Sequence, residues 1–421
     1  MAWLCLSVRE HAENITTNKM RLFYLLSVRL YAFTVRVASL WSPKAKAWVK
    51  GRQNVWSEVS SWKRNPEIPV YWFHCASLGE FEQGRPLMER LKKEGDCQLV
   101  ITFFSPSGYS IRKNYELADL VIYLPHETGK NVNRFYETVQ PNKIFFVKYE
   151  FWATYILTAK KRQIPIYSIS AVFRENQMFF KSWGGYMQKV LKAFDTIFVQ
   201  EMTSKKLLES IQIQSVLAGD TRYDRVMENA KNVKSIPMVS DFVKDKKVFI
   251  MGSSWSVGEE VIFPSIDKLS SDWKVIIAPH EIHEAHIVEI EKKLNKETIR
   301  FSKLEEIHDG SADILIIDNI GMLMHLYQYA DIAYVGGAFG SGLHNVLEPA
   351  CFGVPVIFGP KHDKFREAQD FIDHEIGYAI EDRSAFDSIF SDLQRQDKKR
   401  AIQNFMKDRT GATEIIYEGI A

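Results

Sequence analysis

The stretch that decides the fold runs from Tyr334 to Pro360 and reads YVGGAFGSGLHNVLEPACFGVPVIFGP. It joins an apolar run, a glycine-rich turn, a polar cluster, a helix-like segment and a second apolar run, which is typical of one strand-helix-strand unit. The glycines let the backbone turn tightly and approach a ligand closely. The polar residues His344, Asn345 and Glu348 follow at helical spacing, so we expect them to face one way on the first helical turn.

This polar cluster has two interpretations. Free N–H groups at a helix start favour an anion such as a phosphate, and a carboxylate one turn further could accept hydrogen bonds from the paired hydroxyls of a ribose. Glycines and polar caps also occur where an ordinary helix packs on a sheet. The stretch alone leaves both interpretations open.

The composition is that of an ordinary globular protein. The chain has 421 residues, is 46% hydrophobic and 25% charged, and carries a formal net charge of +2, which argues against nucleic acid as a partner. Its four cysteines are far apart without a CxxC pair, which argues against a disulfide framework or a zinc site and fits a reducing compartment. No D-x-D triplet occurs, so we expect neither a bound metal nor another cofactor.

The N-terminal region contains a basic, apolar helix from Met20 to Trp41. At about 100° per residue, Arg21, Arg29 and Arg36 fall within an arc of roughly 80° and leave the remaining surface apolar. This pattern favours a helix that lies in a lipid headgroup layer over one that crosses the membrane, and the basic run at residues 44–52 adds attraction to anionic lipid. The alternative is a long helix packed on the body of the protein.

From residue 69 onward, short apolar runs alternate with helical stretches, which indicates βαβ units and a parallel sheet. The alternation pauses in a polar segment and then resumes, so we expect an α/β protein with two doubly wound, Rossmann-like domains that face one another across a cleft. The predicted organisation is a polar extension and membrane-associating helix (1–41), an N-terminal domain (42–226), a linker (227–246) and a C-terminal domain (247–421).

In such sheets ligands bind at the carboxyl ends of the strands. In the first half, Glu80 follows the first strand at a helix start, where it could deprotonate a hydroxyl or simply complement the helix dipole. Glu150 follows a later strand, as a second carboxylate or part of a packed aromatic corner. The turn TFFSPSG adds the hydroxyls of Ser105 and Ser107.

The second half has turns of a different composition. Ser253 and Ser254 precede a helix and suit a phosphate, although serine is also an ordinary N-cap. Gly321 and Met322 lie at another helix start, where backbone groups could read the edge of a base or could merely be capped. Phosphate- and ribose-type features in one half and carboxylates in the other indicate group transfer from a nucleotide-bound donor to a hydroxyl acceptor.

Several motifs, in this order and spacing, resemble the family of 3-deoxy-D-manno-octulosonic acid (Kdo) transferases of lipopolysaccharide synthesis. They include HCASLGEFEQGRPL, TFFSPSG, KYEFWA and GSSWSVGEE, and the most specific is the His-Asn-x-Leu-Glu-Pro signature within HNVLEPACFGVPVIFGP. The similarity starts in the basic, apolar N-terminus and covers most of the chain.

The resemblance implies a GT-B glycosyltransferase that moves Kdo from CMP-Kdo to a lipid A precursor, with inversion and without a metal, at the cytoplasmic face of the cell inner membrane. It implies that Glu80 is the general base and Glu150 a supporting carboxylate. It also implies donor-site roles for the following residues: Ser253, Ser254, Pro279, His280, Gly321, Met322, His344, Asn345 and Glu348. Within this set, His344 and Asn345 are expected to face phosphate and sugar carboxylate, and Glu348 the ribose.

The chain departs from the family pattern at three places. His280 stands where the family often has arginine, and Lys148 stands where it has a first glutamate. The family's Asn-Ala-Arg-Leu-Ser element is replaced by the segment 170–175, in which Arg174 is expected to offer a basic group to the acceptor phosphate. The alternatives are a GT-B transferase for a UDP-sugar and a lipid-linked acceptor, a nucleotide-sugar epimerase of the same fold, and a non-catalytic sensor.

Overall fold

The computed structural model describes residues 2–304, 311–340 and 342–420, with the backbone alone for residues 2–18. It separates into two compact domains. The first domain comprises Met1–Asp224 with Thr410–Ala421, and the second comprises Arg225–Arg409. Each contains one seven-stranded parallel sheet, which confirms the predicted pair of doubly wound α/β domains.

The first domain contains strands β1 to β7 and ten α-helices among its described residues. They are α1 (Ala2–Ala38), α2 (Pro43–Gly51), α3 (Val55–Ser61), β1 (Val70–Cys75), α4 (Leu78–Glu94), β2 (Gln98–Phe103), α5 (Pro106–Arg112), β3 (Leu120–Tyr123), α6 (Gly129–Val139), β4 (Lys143–Val147), α7 (Ala153–Lys161), β5 (Ile166–Ala171), α8 (Gly185–Leu191), β6 (Thr196–Val199), α9 (Met202–Ser210), β7 (Val216–Leu217) and α19 (Ala412–Glu418).

The strand order in the first sheet is β3-β2-β1-β4-β5-β6-β7. Its central strands are buried along nearly their whole length, because helices cover both faces of a parallel sheet. Successive side chains of β1 alternate between the two faces. Trp72 packs on Phe135 with ring centroids 4.7 Å apart, whereas Phe73 stacks on Phe145 at 4.4 Å. Aromatic packing therefore fixes β1 at the centre of the domain.

The second domain repeats this architecture. Helix α10 (Thr221–Lys231) crosses the boundary, and the other elements are α11 (Pro237–Phe242), β8 (Lys247–Ser254), α12 (Ser256–Ile266), β9 (Trp273–Pro279), α13 (Glu284–Lys293), β10 (Thr298–Arg300), β11 (Ile314–Ile316), α14 (Leu323–Leu326), β12 (Ile332–Val335), α15 (Leu347–Ala350), β13 (Val356–Phe358), α16 (Arg366–Asp373), β14 (Gly377–Ala379), α17 (Arg383–Leu393) and α18 (Lys399–Asp408). The strand order is β10-β11-β9-β8-β12-β13-β14.

The domain limits differ from the sequence-based expectation in two places. The segment 227–246, expected as a linker, contains most of α10 and the whole of α11, whose Val239 is fully buried in the core of the second domain. The C-terminus belongs to the first domain, because Asp224 accepts hydrogen bonds from the backbone N–H groups of Gly411 (2.5 Å) and Thr413 (2.6 Å), and Ile416 is buried in that core. These contacts join residues far apart in the chain, which local patterning does not reveal.

Helix α1 packs on the first domain through Tyr24, whose hydroxyl donates to Glu127 Oε2 at 2.6 Å. Its outer face carries a stripe of apolar side chains that are 39–67% exposed. They are Leu22, Phe23, Leu26, Leu30, Phe33 and Val37. In the described part of the chain no single helix is long and apolar enough to cross a membrane; residues 19–38 and 43–51 reach that threshold only together, as a pair bent by 120°.

Candidate active site

Both sheets have a topological switch point, where the chain starts to add strands on the opposite side of the first strand. In the first domain it lies between β1 and β4, and in the second between β8 and β12. The turns that leave such a pair of strands diverge and open a crevice at the carboxyl edge of the sheet. Glu80 and Glu150 follow the first pair of strands, Ser253 lies at the end of β8, and His344 follows β12.

Glu80 is the third residue of α4 and serves the helix start as well as the crevice. Its Oε2 accepts a hydrogen bond from the backbone N–H of Ser77 at 2.9 Å, which is one half of a capping box. The side chain is nevertheless only 9% exposed. Burial, reinforced by the negative charge of Glu150, raises the pKa of Glu80 to about 7. A carboxylate with that pKa can accept a proton at neutral pH.

Glu150 is held by hydrogen bonds from two aromatic side chains. The indole N–H of Trp152 donates to Glu150 Oε2 at 2.6 Å, and His74 Nε2 lies 3.2 Å from the same oxygen. His74 is fully buried at the end of β1. These hydrogen bonds fix the orientation of the Glu150 carboxylate near Glu80. The segment around Glu150 is therefore both a packed aromatic corner and the position of a second carboxylate.

The support of Glu150 extends into the sheet through residues that the sequence analysis did not assign. Thr102, paired with His74 across β2 and β1, has its Oγ1 2.8 Å from His74 Nδ1 and 2.8 Å from the indole nitrogen of Trp72. Because an ionised carboxylate only accepts, Nε2–H of His74 donates to Glu150, and the Thr102 hydroxyl, which accepts from the indole, can donate to Nδ1. The one sequence feature that could have pointed to this support was the ionisable residue His74 inside the apolar run VYWFHC.

The remaining first-domain residues flank this pair along the same edge. Ser105 and Ser107 follow β2, with their hydroxyl oxygens 2.7 Å apart, and the Ser105 backbone N–H donates to the carbonyl of Ala76 at 2.7 Å. Arg174 lies beyond the end of β5 and is exposed. Burial raises the pKa of Tyr149, and the nearby guanidinium of Arg174 opposes that rise. In sheet order the turns thus offer hydroxyls, two carboxylates and a cation.

The glycines of the second-domain turn serve packing within the protein. A Cβ on Gly336 would lie 2.0 Å from the carbonyl oxygen of Ser253, and a Cβ on Gly337 would lie 2.0 Å from that of Gly342. Gly337 also has a φ of +97°, which favours glycine. Gly336 thus brings the turn against the end of β8 and Gly337 lets the turn fold on itself, while the approach of a ligand to these glycines stays a prediction.

The polar cluster after this turn differs from the predicted helical face. Helix α15 begins at Leu347 and has only four residues, so His344 and Asn345 precede it and the expectation of one shared helical turn was wrong. Asn345 Oδ1 accepts from the Leu347 backbone N–H at 3.2 Å, and its Nδ2 donates to Glu348 Oε1 at 3.0 Å. The amide of Asn345 therefore orients the carboxylate of Glu348.

The two serines that end β8 have different environments. Ser254 is fully buried and its hydroxyl donates to Glu259 Oε1 at 2.6 Å, so it is already engaged within the protein. His286 Nε2 lies 3.3 Å from the same carboxylate oxygen. Ser253 has a left-handed φ of +50° and stays half-buried at the edge. Of the two, Ser253 is the better placed to meet a ligand.

An aromatic group lies at the second switch point. Pro279 ends β9, and the His280 backbone N–H donates to the carbonyl of Ser254 at 2.9 Å. The imidazole of His280 stacks on Trp255 with centroids 4.4 Å apart and lies 4.6 Å from the ring of His344. Burial, reinforced by the charge of His280, lowers the pKa of His344 to about 4. Trp255 was not among the predicted site residues.

Gly321 and Met322 follow β11 on the same edge. Gly321 has a φ of +97° and is exposed, and Met322 precedes α14, a single helical turn. A Cβ on Gly252 would lie 3.1 Å from Leu323 Cδ1, so this turn packs beside the end of β8. All predicted second-domain residues therefore lie on four neighbouring strand ends. Among the residues that the structure describes, no cluster of three or more His, Cys, Asp or Glu side chains could hold a metal ion.

Two Rossmann-like domains in tandem, each with polar residues at its switch point, define a GT-B protein. Solved structures of this architecture are similar over most of the chain. A UDP-GlcNAc 2-epimerase from Neisseria meningitidis bound to UDP-GlcNAc matches with a TM-score of 0.57 and 16% identity, over 84% of this chain and 99% of that one. MurG of Acinetobacter baumannii matches with a TM-score of 0.55 and 12% identity, over 83% and 98%. At these identities the likeness shows the fold alone.

Sequence comparison identifies the family. The profile of the 3-deoxy-D-manno-octulosonic-acid transferase (kdotransferase) family matches residues 46–225. A 3-deoxy-D-manno-octulosonic acid transferase of Aquifex aeolicus is 28% identical over 81% of this chain and 90% of its own length, and one of Haemophilus influenzae is 25% identical over 82% and 84%. The chain is a glycosyltransferase with a Kdo transferase family domain at residues 46–225, and the resemblance to Kdo transferases that its motifs indicate is confirmed.

Proposed function

We propose that this enzyme transfers Kdo from CMP-Kdo to a hydroxyl of a lipid A precursor of the lipid IVA type and releases CMP. One observation supports this most directly. In a chain with a Kdo transferase family domain, the carboxylate at the first switch point is buried beside a second carboxylate, and its pKa is raised to about 7. That is the property required of a general base that activates a sugar hydroxyl at neutral pH.

The proposal assigns proton removal to the first domain. Glu80 accepts the proton of the acceptor hydroxyl while the hydroxyl oxygen attacks the anomeric carbon of Kdo from the face opposite CMP, so the configuration inverts. Glu150, held by Trp152 and His74, supports Glu80 by keeping a negative charge beside it. Arg174 is assigned to the phosphate of the acceptor.

Ser105 and Ser107 are assigned to polar groups of the acceptor, because their hydroxyls lie on the turn that packs against the turn before Glu80. These hydroxyls can donate or accept, which suits a sugar ring with both kinds of group.

Stabilisation of the leaving group is assigned to the second domain. The bond between the anomeric carbon and the phosphate oxygen breaks, and CMP leaves with its electron pair. His344, Ser253 and the N-terminus of the 11-residue helix α12 offer hydrogen-bond donors to that oxygen, in a reaction that we propose needs no metal. Glu348, oriented by Asn345, accepts from the ribose hydroxyls.

The other donor-site residues are assigned to positioning neighbouring turns or to contacts with the edge of the base. Ser254 and Pro279 position the neighbouring turns, since the hydroxyl of Ser254 is engaged by Glu259 and Pro279 ends a buried strand. Gly321 and Met322 offer backbone groups to the cytosine edge.

We further propose that α1 attaches the enzyme to the cytoplasmic face of the cell inner membrane. Its exposed apolar stripe spans an arc of about 100°, and the exposed arginines at positions 21, 29 and 36 border it on one side. Apolar side chains beside a basic stripe suit the boundary between acyl chains and anionic headgroups.

The transfer itself is tested by incubating the purified chain with CMP-Kdo and a tetra-acylated lipid A precursor and reading the product by mass. We expect a mass increase of one or more Kdo units, with inhibition by CMP and not by UDP. Inhibition by UDP alone would instead indicate a UDP-sugar transferase. Conversion of a nucleotide sugar without any acceptor would indicate an epimerase.

Membrane attachment is tested by co-sedimentation with vesicles that contain anionic phospholipid. Replacing Phe23 and Phe33 together by serine should reduce binding about 100-fold, because each exposed phenyl ring contributes roughly 1.5 kcal/mol when buried in lipid. The matched control is Met202→Ser, an exposed apolar residue on α9. Equal binding by both variants would remove α1 as the attachment site.

A further inference from the structure

Three rings at the second switch point form one nearly parallel group. Trp255, His280 and His344 have interplanar angles of 10–31°. The indole nitrogen of Trp255 lies 3.1 Å from His344 Nε2 and donates its hydrogen to it. Trp255 is 38% exposed, which is unusual for a tryptophan that packs merely as core.

We infer that Trp255 is a positioning residue that fixes His344 as a neutral imidazole with its hydrogen on Nδ1, the form that donates a hydrogen bond to an anionic oxygen of the nucleotide donor. The inference rests on the proposed function, since it names how one residue of that site is prepared for its ligand.

The tautomer follows from hydrogen-bond chemistry. An indole N–H can only donate, so the ring nitrogen that accepts it must carry a lone pair. In a neutral imidazole the other nitrogen then carries the hydrogen, which places the N–H on Nδ1. The pKa of His344, lowered to about 4, keeps the ring neutral at the pH of the reaction.

Neighbouring contacts restrict the ring of His344. Its backbone N–H donates to the carbonyl of Gly336 at 3.1 Å, and a Cβ on Gly337 would lie only 2.9 Å from His344 Cδ2. His280 lies against both other rings. These contacts hold Nε2 towards Trp255, so the hydrogen bond from the indole decides which of the two nitrogens carries the hydrogen.

The variant that isolates this effect is Trp255→Phe, which keeps an aromatic ring for stacking and removes the N–H. In the native protein, ¹⁵N spectra of histidine-labelled enzyme should show His344, assigned with His344→Gln, with its hydrogen on Nδ1. In Trp255→Phe the Nε2–H form should appear. This readout does not depend on turnover, so it stands even if CMP-Kdo is not the donor.

The same variant separates two sources of the anionic oxygen. We expect kcat/KM for CMP-Kdo to fall about 3- to 10-fold, the loss of roughly one well-formed hydrogen bond. If CMP alone also binds more weakly, the oxygen belongs to the phosphate; if only the KM for CMP-Kdo rises, it belongs to the sugar carboxylate. The matched control is Trp183→Phe, an exposed tryptophan of the first domain. An unchanged tautomer, or unchanged constants for both CMP and CMP-Kdo, would overturn the inference.

Discussion

The two switch points occupy equivalent positions in similar sheets and carry opposite kinds of titratable group. The group with the largest role is a carboxylate, Glu80, at the first and an imidazole, His344, at the second. Burial is the largest cause of the pKa shift in both cases, and it favours the neutral form of each group. It raises the pKa of Glu80 to about 7 and lowers that of His344 to about 4.

This difference separates the roles of the two domains. An acid with a pKa near 7 changes its charge within the working pH range and can take up a proton during the reaction. An imidazole with a pKa near 4 stays uncharged in this pH range and acts as a hydrogen-bond donor whose protonation does not change. Substitutions in the first domain should therefore shift the pH dependence of the rate, whereas those in the second should lower kcat/KM for the donor without shifting that pH dependence.

The largest expected effect follows from Glu80→Gln. The amide keeps a hydrogen-bond acceptor for the Ser77 N–H, so α4 stays capped, but it cannot take a proton. We expect kcat to fall about 10²- to 10⁴-fold, the usual contribution of a general base, with CMP affinity changed less than about twofold. Steady-state kinetics and calorimetry measure the two quantities.

The matched control is Glu82→Gln on the same helix, which removes a partly exposed carboxylate paired with Arg112 at 2.6 Å. It should retain nearly full activity. If Glu80→Gln were as active as this control, the base would lie elsewhere and the division of roles would fail.

Glu150→Gln should reduce activity less than Glu80→Gln does, and it should shift the pH dependence of the reaction to lower pH. The charge of Glu150 is the second cause of the raised pKa of Glu80, after burial, so its removal should lower that pKa. Glu80 is active when deprotonated, so the acid limb of kcat/KM, centred near pH 7 in the native enzyme, should move to lower pH.

The pH profile of Glu82→Gln serves as the reference for this shift. The plateau of kcat at high pH should also fall, because a deprotonated Glu80 with a lower pKa is a weaker base. A limb that stays near pH 7 would show that the two carboxylates act independently.

The positions of these two carboxylates can be predicted from the sequence more readily than the side chains that surround them. Glu80 and Glu150 follow strands that are readable as apolar runs, and adjacent parallel strands bring their carboxyl ends together. The pairing of His74 with Thr102 depends on the register of β1 and β2, which apolar runs without polar alternation do not specify. The support beneath Glu150 was therefore not predictable, although the carboxylate itself was.

The second switch point was less accessible to sequence reasoning. Spacing in HNVLEP suggested one helical face, yet Asn345 caps a helix that starts only at Leu347, and His344 turns to an aromatic group from two other strand ends. Trp255 and His280 are 25 positions apart and meet only because β8 and β9 are neighbours. Local periodicity carries no information on such contacts.

The smallest expected effect concerns His344, whose ring should not titrate near neutral pH in the folded protein. Across pH 5.5–8 the Cε1–H resonance of His344 should barely shift, because the pKa of its ring is lowered to about 4, whereas the same residue in the urea-unfolded chain should titrate near 6.5. The folded pKa is depressed below the unfolded one, so this residue adds stability that is present above about pH 6.5 and is lost as the pH falls towards 4. A folded-state midpoint above 6 would give the second domain a charge that varies at neutral pH. The contrast between a titrating base in one domain and a fixed donor in the other would then disappear.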